Sequence, residues 1–534
     1  MDCSPAEIVR EAPRAEVRDP VLDTLAPEVD AAFYFARNPD VARAGMAASD
    51  HYWRIGWREG RDPSPWFRTE YYLRANPDVA AASINPLWHY LVRGREEGRQ
   101  PSEPGGAWRE ELDRPRPPPC DVARGARLLS GAALRRSLRG AGADARRLVL
   151  SISHDRYTDV PGGTQRLIAD EQRKFNAAGA AYLHLSPTVA RLGLAPAEGG
   201  PERLGVTLDG IWQGVARAET LASALAAVPA RLTRLLAVHA LHGWRPETVA
   251  ALAAALRPAQ AVFWAHDYGA ACASPRLLRN DIAFCAAPPP DSLGCRICIH
   301  GESRAEHLAR MRSLFAAVPF HLAAPSARAA ETWLLAARLP VASVQVHPHV
   351  RLWPLPAAPT VADGPVRLAF VGAADYHKGW GVFRDLLLQV RRLAAYRCFH
   401  FASPGLQQPM DGLTFIAAAA TPDDPAGMQR ALAAHRIDLV LALSPWPETF
   451  SYVAHEALGA GADLLALEGS GHVAALVRRL GRGVVLPDAA ALAGFVLSGG
   501  AVDHARRRRA AGRAEALLLP VGSTATLALA AGAA

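Results

Sequence analysis

From residue 146 onward, short unbroken apolar runs alternate with longer stretches in which Ala, Leu and Val recur at helical spacing. Leu148-Val149-Leu150-Ser151-Ile152 opens the series, and Ala181–Leu185, Leu235–Ala240, Ala261–Ala265 and His321–Ala324 continue it. An apolar run without polar alternation predicts a strand covered on both faces, as in a parallel sheet. The pattern breaks in the Pro-rich stretch 351–364. It restarts with Val366-Arg367-Leu368-Ala369-Phe370-Val371-Gly372 and runs on through Leu439-Val440-Leu441-Ala442-Leu443. Two α/β halves follow, one over 146–350 and one over 365–500, with a tail over 501–534. Strand-helix alternation of this kind makes doubly wound sheets.

The first hundred residues are patterned differently. Asn38-Pro39-Asp40-Val41-Ala42 returns as Asn76-Pro77-Asp78-Val79-Ala80, and His51-Tyr52 returns as His89-Tyr90. Gly60-Arg61-Asp62-Pro63-Ser64 returns as Gly98-Arg99-Gln100-Pro101-Ser102, at the same offset of 38 residues. Residues 28–102 are therefore a tandem duplication. Each copy reads as two short helices, one before the Asn-Pro turn and one ending at Gly60 or Gly98. Tyr52, Trp53, Trp57, Trp66 and Trp88 offer stacking faces for sugars, but core packing is the favoured role, since aromatics dominate small cores. The stretch 103–145, with Arg114-Pro115-Arg116-Pro117-Pro118-Pro119, has linker composition.

The densest chemistry lies in Ser444-Pro-Trp-Pro-Glu-Thr-Phe-Ser-Tyr-Val-Ala-His-Glu-Ala-Leu-Gly-Ala-Gly461. Glu448 falls on a strand-to-helix turn, where open α/β sheets bind ligands. Glu456 lies about two helical turns, or roughly 12 Å, further on. Free amides near Phe450 and Ser451, at the helix start, suit an anion. A nucleotide diphosphate with a sugar on each side fits that layout. The segment resembles the Glu-x7-Glu signature of retaining glycosyltransferases of the GT-B fold, particularly glycosyltransferase family 4. The resemblance covers 146–497 and excludes the repeats, which are similar to modules beside glycosyltransferase domains in bacterial surface-polysaccharide enzymes.

The resemblance implies that Glu448 holds hydroxyls of the transferred sugar and Glu456 the nucleotide ribose. It assigns to Lys378, in Gly372-Ala-Ala-Asp-Tyr-His-Lys-Gly-Trp380, a grip on the diphosphate. The Arg usually found just after the Gly is replaced by Ala373, leaving His377 or an Arg from elsewhere to substitute. Lys378 is one of two lysines in the chain, beside Lys174; a lysine kept where Arg is otherwise used suits a compact phosphate-binding charge. His266, ending an apolar run, is implied at the donor sugar. Gly163, in the Gly162-Gly163 loop that opens a helix near Gln165, and Gly471, in Ser470-Gly471-His472, are implied at phosphate or sugar.

The cysteines stand apart from this site. Cys272, Cys285, Cys295 and Cys298 lie within 27 residues around a Pro-rich insertion, the last two as Cys-x2-Cys. Their spacing fits a closed structural zinc site, with disulfides the competing explanation and His266, His300 and His307 alternative ligands. Catalysis needs no cofactor on this reading.

A formal net charge of +8 over 534 residues permits phosphorylated ligands or an anionic membrane face without demanding either. Dispersed Arg residues and no reader motif exclude nucleic-acid recognition. The first thirty residues lack an apolar core and no run of 18 apolar residues occurs, which reads as a cytoplasmic protein, touching the membrane at most peripherally. The expected activity is hexose transfer from a nucleotide sugar to a glycan or glycolipid acceptor. The alternative is a non-catalytic carbohydrate-binding or scaffold protein with the same fold.

Overall fold

The apolar runs become the strands of two sheets, described in a computed structural model that covers residues 20–103, 120–160, 162–200, 202–356, 364–408, 410–421 and 424–530. The Pro/Arg run 114–119 and Pro161 of the glycine loop lie outside the described residues. The chain divides into two compact units, 1–106 and 107–534.

In the larger unit, the first sheet has eight strands. Six are parallel, in the spatial order Ser343–Val346, His321–Ala324, Gln260–Trp264, Thr233–Val238, Arg147–Ile152 and Ala180–Pro187. Leu148, Val149, Leu150 and Ile152 are buried, as continuous apolar runs require when helices cover both faces. An antiparallel pair, Arg203–Leu208 and Ile211–Arg217, extends the sheet beyond Ala180–Pro187. The second sheet has six parallel strands: Val366–Val371, Tyr396–Ala402, Leu413–Ala417, Leu439–Ala442, Asp463–Leu467 and Gly483–Leu486. Numbered along the chain, they stand in the order 3-2-1-4-5-6, that of a dinucleotide-binding doubly wound sheet. Two such halves facing one another, with a separate small helical unit at the N-terminus, make the GT-B architecture.

Two boundaries differ from the sequence reading. Part of the stretch read as linker is folded: Gly131–Ala141 is a helix whose Leu134 and Leu138, one turn apart, bury against the first half. The stretch 501–534 is not a tail. Gly500–Ala510 is helical, and Ala516–Pro520 pairs antiparallel with Val350–Pro354, inside the expected Pro-rich break. Thr524–Ala530 then returns to the first half, where Trp264 Nε1 donates to Thr524 Oγ1 at 2.8 Å and Thr524 N donates to Glu171 Oε2 at 2.6 Å.

In the N-terminal unit three helices recur at the 38-residue offset: Ala31–Arg37 with Thr69–Ala75, Pro39–Arg43 with Pro77–Ala81, and Ala48–His51 with Pro86–His89. Asn-Pro starts a helix rather than only turning the chain, because Pro suits the first helical position. Each copy therefore has three helical pieces, not two. The last runs on as a π-turn to Gly56 or Gly94, short of Gly60 and Gly98. Tyr34 and Tyr72 each share a 2.9 Å hydrogen bond with a His Nδ1, of His51 and His89. Tyr52 and Trp57 are core residues, and Trp53, Trp66 and Trp88 pack against that core. Among the described residues no helix is long and apolar enough to cross a membrane.

Candidate active site

The 3-2-1-4-5-6 order places the switch point between Val366–Val371 and Leu439–Ala442, and the loops leaving these two strands carry Lys378 and Glu448. Open α/β sheets bind ligands in that crevice. Lys378 Nζ donates to Glu448 Oε1 at 3.1 Å, and Ser444 Oγ donates to the same oxygen. Glu448 is only 5% exposed, so its charge rests on these two partners.

Two glycines allow the loops to meet. Gly379 has φ 84°, and a Cβ there would lie 2.2 Å from the Leu443 carbonyl oxygen. Gly471 has φ 64°, and a Cβ there would lie 2.6 Å from Pro447 Cα. Through it Glu448 and Gly471 form an isolated bridge, and His472 N donates to the Glu448 carbonyl at 3.0 Å. Gly372 ends its strand with φ 109° and open space where a Cβ would be.

The helix after Glu448 begins at Tyr452. The eight-residue spacing is thus half extended chain and half helix, and Glu456 lies in the second turn. The Ser451 hydroxyl caps this helix by accepting from Ala454 N at 3.3 Å, which engages one of the amides expected to face an anion. Phe450 stacks on His455 and His472, with ring centroids 4.5 and 5.2 Å away.

Glu456 is 4% exposed and faces the other half. Arg166 Nη1 donates to Glu456 Oε1 at 2.9 Å, and the guanidinium lies 4.7 Å from the Tyr452 ring centroid. Burial raises the Glu456 carboxyl above the usual range, against the pull of Arg166. The glycine loop supplies this cation. Its helix starts at Gly163, two residues before the expected Gln165, and Gly163 sits against the Tyr452 ring.

His266 ends Gln260–Trp264 as expected, but it is packed rather than free. Its ring stacks on Trp264 and His239, and His266 Nε2 and His239 Nδ1 lie 3.1 Å apart, sharing one proton. Burial, with His349, His239 and His154 nearby, holds its pKa well below the ordinary value, so it is a neutral ring. The His266 carbonyl accepts from Thr449 Oγ1 at 2.6 Å, and Tyr268 OH donates to the Pro447 carbonyl at 2.8 Å. The Glu448 loop is thereby tied to the first half.

Sequence reasoning missed Arg166, His239, His349 and Tyr452, and with them His242, which pairs with Asp267 at 2.8 Å. A weak signal was present: His154, His239, His266 and His349 each follow closely on an apolar run, at the edge where the loops converge. Lys378, Glu448, Gly471, Phe450 and Ser451 gather in the second half, while Gly163 and Glu456 meet across the two. The four cysteines lie in the first half, on the loop that follows His266, and none forms a disulfide.

No protein-family model and no curated protein matches the chain. Among solved structures, it is similar to HepE of Anabaena in complex with UDP and glucose, at 14% identity over 72% of this chain and 99% of that one, with a TM-score of 0.41. A glycosyltransferase from Rickettsia africae is 10% identical over 69% of this chain and 92% of that one, with a TM-score of 0.41. The α,α-trehalose-phosphate synthase (UDP-forming) of Burkholderia xenovorans, in complex with glucose-6-phosphate, is 11% identical over 68% and 94%, with a TM-score of 0.37.

Proposed function

We propose that the chain is a retaining glycosyltransferase that moves a hexose from a nucleotide sugar to a glycan or glycolipid acceptor in bacterial surface-polysaccharide assembly. The observation that carries this reading is a pair of buried carboxylates, Glu448 and Glu456, each held by one cation at the switch point of a 3-2-1-4-5-6 sheet. A buried carboxylate with spare lone pairs is a good acceptor for sugar hydroxyls. Glu456 takes the ribose and Glu448 the transferred sugar, while Lys378 meets the diphosphate between them. As the glycosidic bond to the diphosphate breaks, charge collects on the leaving oxygens, and a fixed ammonium stabilises it without reorganising. Arg166, reaching from the opposite half, stands beside this site and is the nearest answer to the Arg missing at Ala373. No general base on the protein and no metal is required for same-face attack. Bound nucleotide and acceptor would meet in the cleft, at a protein that touches the membrane only peripherally.

The competing reading, a non-catalytic binding protein, draws on Ala373. Glu456→Ala separates the roles: it should weaken nucleoside diphosphate binding, whereas Glu448→Ala should spare that binding and abolish transfer. Equal nucleotide affinity in both variants and the parent would remove the assignment. Tight binding without turnover of any nucleotide sugar would favour the non-catalytic protein.

A further inference from the structure

Cys272, Cys285, Cys295 and Cys298 all line one cavity of about 20 Å³, together with His300 and Arg304. Such a space admits one occupant about the size of a water molecule and no organic ligand. Cys272 and Cys285 flank the hairpin Leu278–Arg279/Ala283–Phe284, while Cys295 and Cys298 lie on and after the short helix Leu293–Arg296. Four cysteines from two elements separated in sequence thus border one cavity.

An independent observation concerns charge. Arg304 is 3% exposed, and among the described residues no carboxylate pairs with it. Its Nε donates to the Ala271 carbonyl at 3.3 Å, and Nη1 donates to the Pro288 carbonyl and, at 2.8 Å, to Cys295 Sγ. A guanidinium buried without an anion is costly. The groups around it able to become anions are the thiols. His300, which also lines the cavity, is engaged with Asp281 Oδ1 at 2.8 Å.

We propose that these four cysteines bind one structural zinc ion and that Arg304 offsets the charge of the resulting tetrathiolate. Each thiol releases its proton as its sulfur–zinc bond forms, so binding frees four protons and leaves a site of net charge −2. Arg304 halves that charge. Thiolate ligands select zinc over hard cations, and four of them leave no open position for water. No three His, Cys, Asp or Glu side chains among the described residues already stand in metal-holding geometry. The ion therefore draws the sulfurs inward by side-chain rotation, with the guanidinium moving off Cys295. The zinc would staple the loop that joins His266 to Ile282, whose carbonyl accepts from Tyr376 OH of the second half at 3.2 Å.

The test is elemental analysis of the full chain, purified without a metal-affinity step, with thiols counted by Ellman's reagent and by intact mass. One zinc per chain is expected, and replacement by Co²⁺ should give the intense sulfur-to-metal absorption of a tetrathiolate. Cys298→Ser should lose the metal. His300→Ala should keep it, and Arg304→Met should keep four thiols yet bind zinc about 10- to 100-fold more weakly in chelator competition, as outer partners of metal sites do. Folded, metal-free protein with these four thiols reduced, all seven of the chain's cysteines then counting as free thiols, would overturn the proposal, as would two disulfides by mass. Loss of zinc from His300→Ala would overturn the ligand set, and unchanged affinity in Arg304→Met the charge argument.

Discussion

Arg166→Met isolates the contribution of one cation to a carboxylate in the opposite half. With Glu456 4% exposed and Arg166 Nη1 at 2.9 Å, removing the guanidinium leaves a buried anion alone, a change that costs about 3–5 kcal/mol if the charge persists. The carboxyl has an escape, because burial already raises its pKa. Without Arg166 the Glu456 pKa rises further, which moves the carboxyl toward its neutral form. A ribose diol then meets a neutral acid instead of a carboxylate. Hydrogen bonds to a charged group contribute about 1.5–3 kcal/mol each and neutral ones about 0.5–1.5. Two hydroxyls therefore lose about 2–3 kcal/mol together, or roughly 30- to 150-fold in affinity. Titration calorimetry with a nucleoside diphosphate should show this deficit, and it should shrink as the pH rises and favours the ionised Glu456 carboxyl. Arg166→Lys should recover part of the loss. Parental affinity in Arg166→Met at every pH would refute the reasoning; tighter binding would mean that Arg166 merely blocks the site.

Two further predictions rest on geometry already described. Gly471→Ala places a Cβ against Pro447 backbone at a φ of 64°, so it should cost about 1–3 kcal/mol and depress turnover more than nucleotide binding; a melting temperature and rate equal to the parent would contradict it. Burial holds His349, His455 and His472 at about 3, 4 and 3. They stay neutral in the fold but charge in the unfolded chain, so their stabilisation is complete above pH 6.5 and declines as pH falls toward those values. At pH 5 each costs about 2 kcal/mol, and a urea midpoint unchanged between pH 7.5 and pH 5 would show the rings to be solvated.

What the sequence reveals depends on how local the determinant is. His321–Ala324 matches its apolar run residue for residue, and the six other strands read from apolar runs fall within two residues of theirs, because burial on both faces is written in composition; the remaining parallel strands, such as Ser343–Val346 and Tyr396–Ala402, were not read. The hairpin Arg203–Leu208/Ile211–Arg217 was not read, although Asp209-Gly210, both with positive φ, is a strong hairpin turn. The pairing of Ala516–Pro520 with Val350–Pro354 was not legible, because no local pattern names a strand partner so distant in sequence. The same holds for the candidate site. Glu448, Glu456 and Lys378 announced themselves by spacing and rarity, whereas Arg166 is one arginine among many until the fold sets it beside Glu456. His266 was legible in place, at a strand end, but not in environment: its stacking on His239 depends on the neighbouring strand Thr233–Val238.

Val350 lies opposite Pro520, and Pro354 opposite Ala516. The chain thus leaves the first half and re-enters it through neighbouring strands of one ribbon. In ribosomal terms the first half is interrupted: the helix Thr524–Ala530 emerges only after the whole second half has been made. Folding of the first half must then wait for this helix, with Trp264 Nε1 and Glu171 Oε2 lacking their Thr524 partner until it arrives. The same arrangement makes the second half an insert with adjacent ends, the geometry that tolerates replacement of one domain by another. A lineage could exchange the second half at this ribbon while leaving the first half untouched.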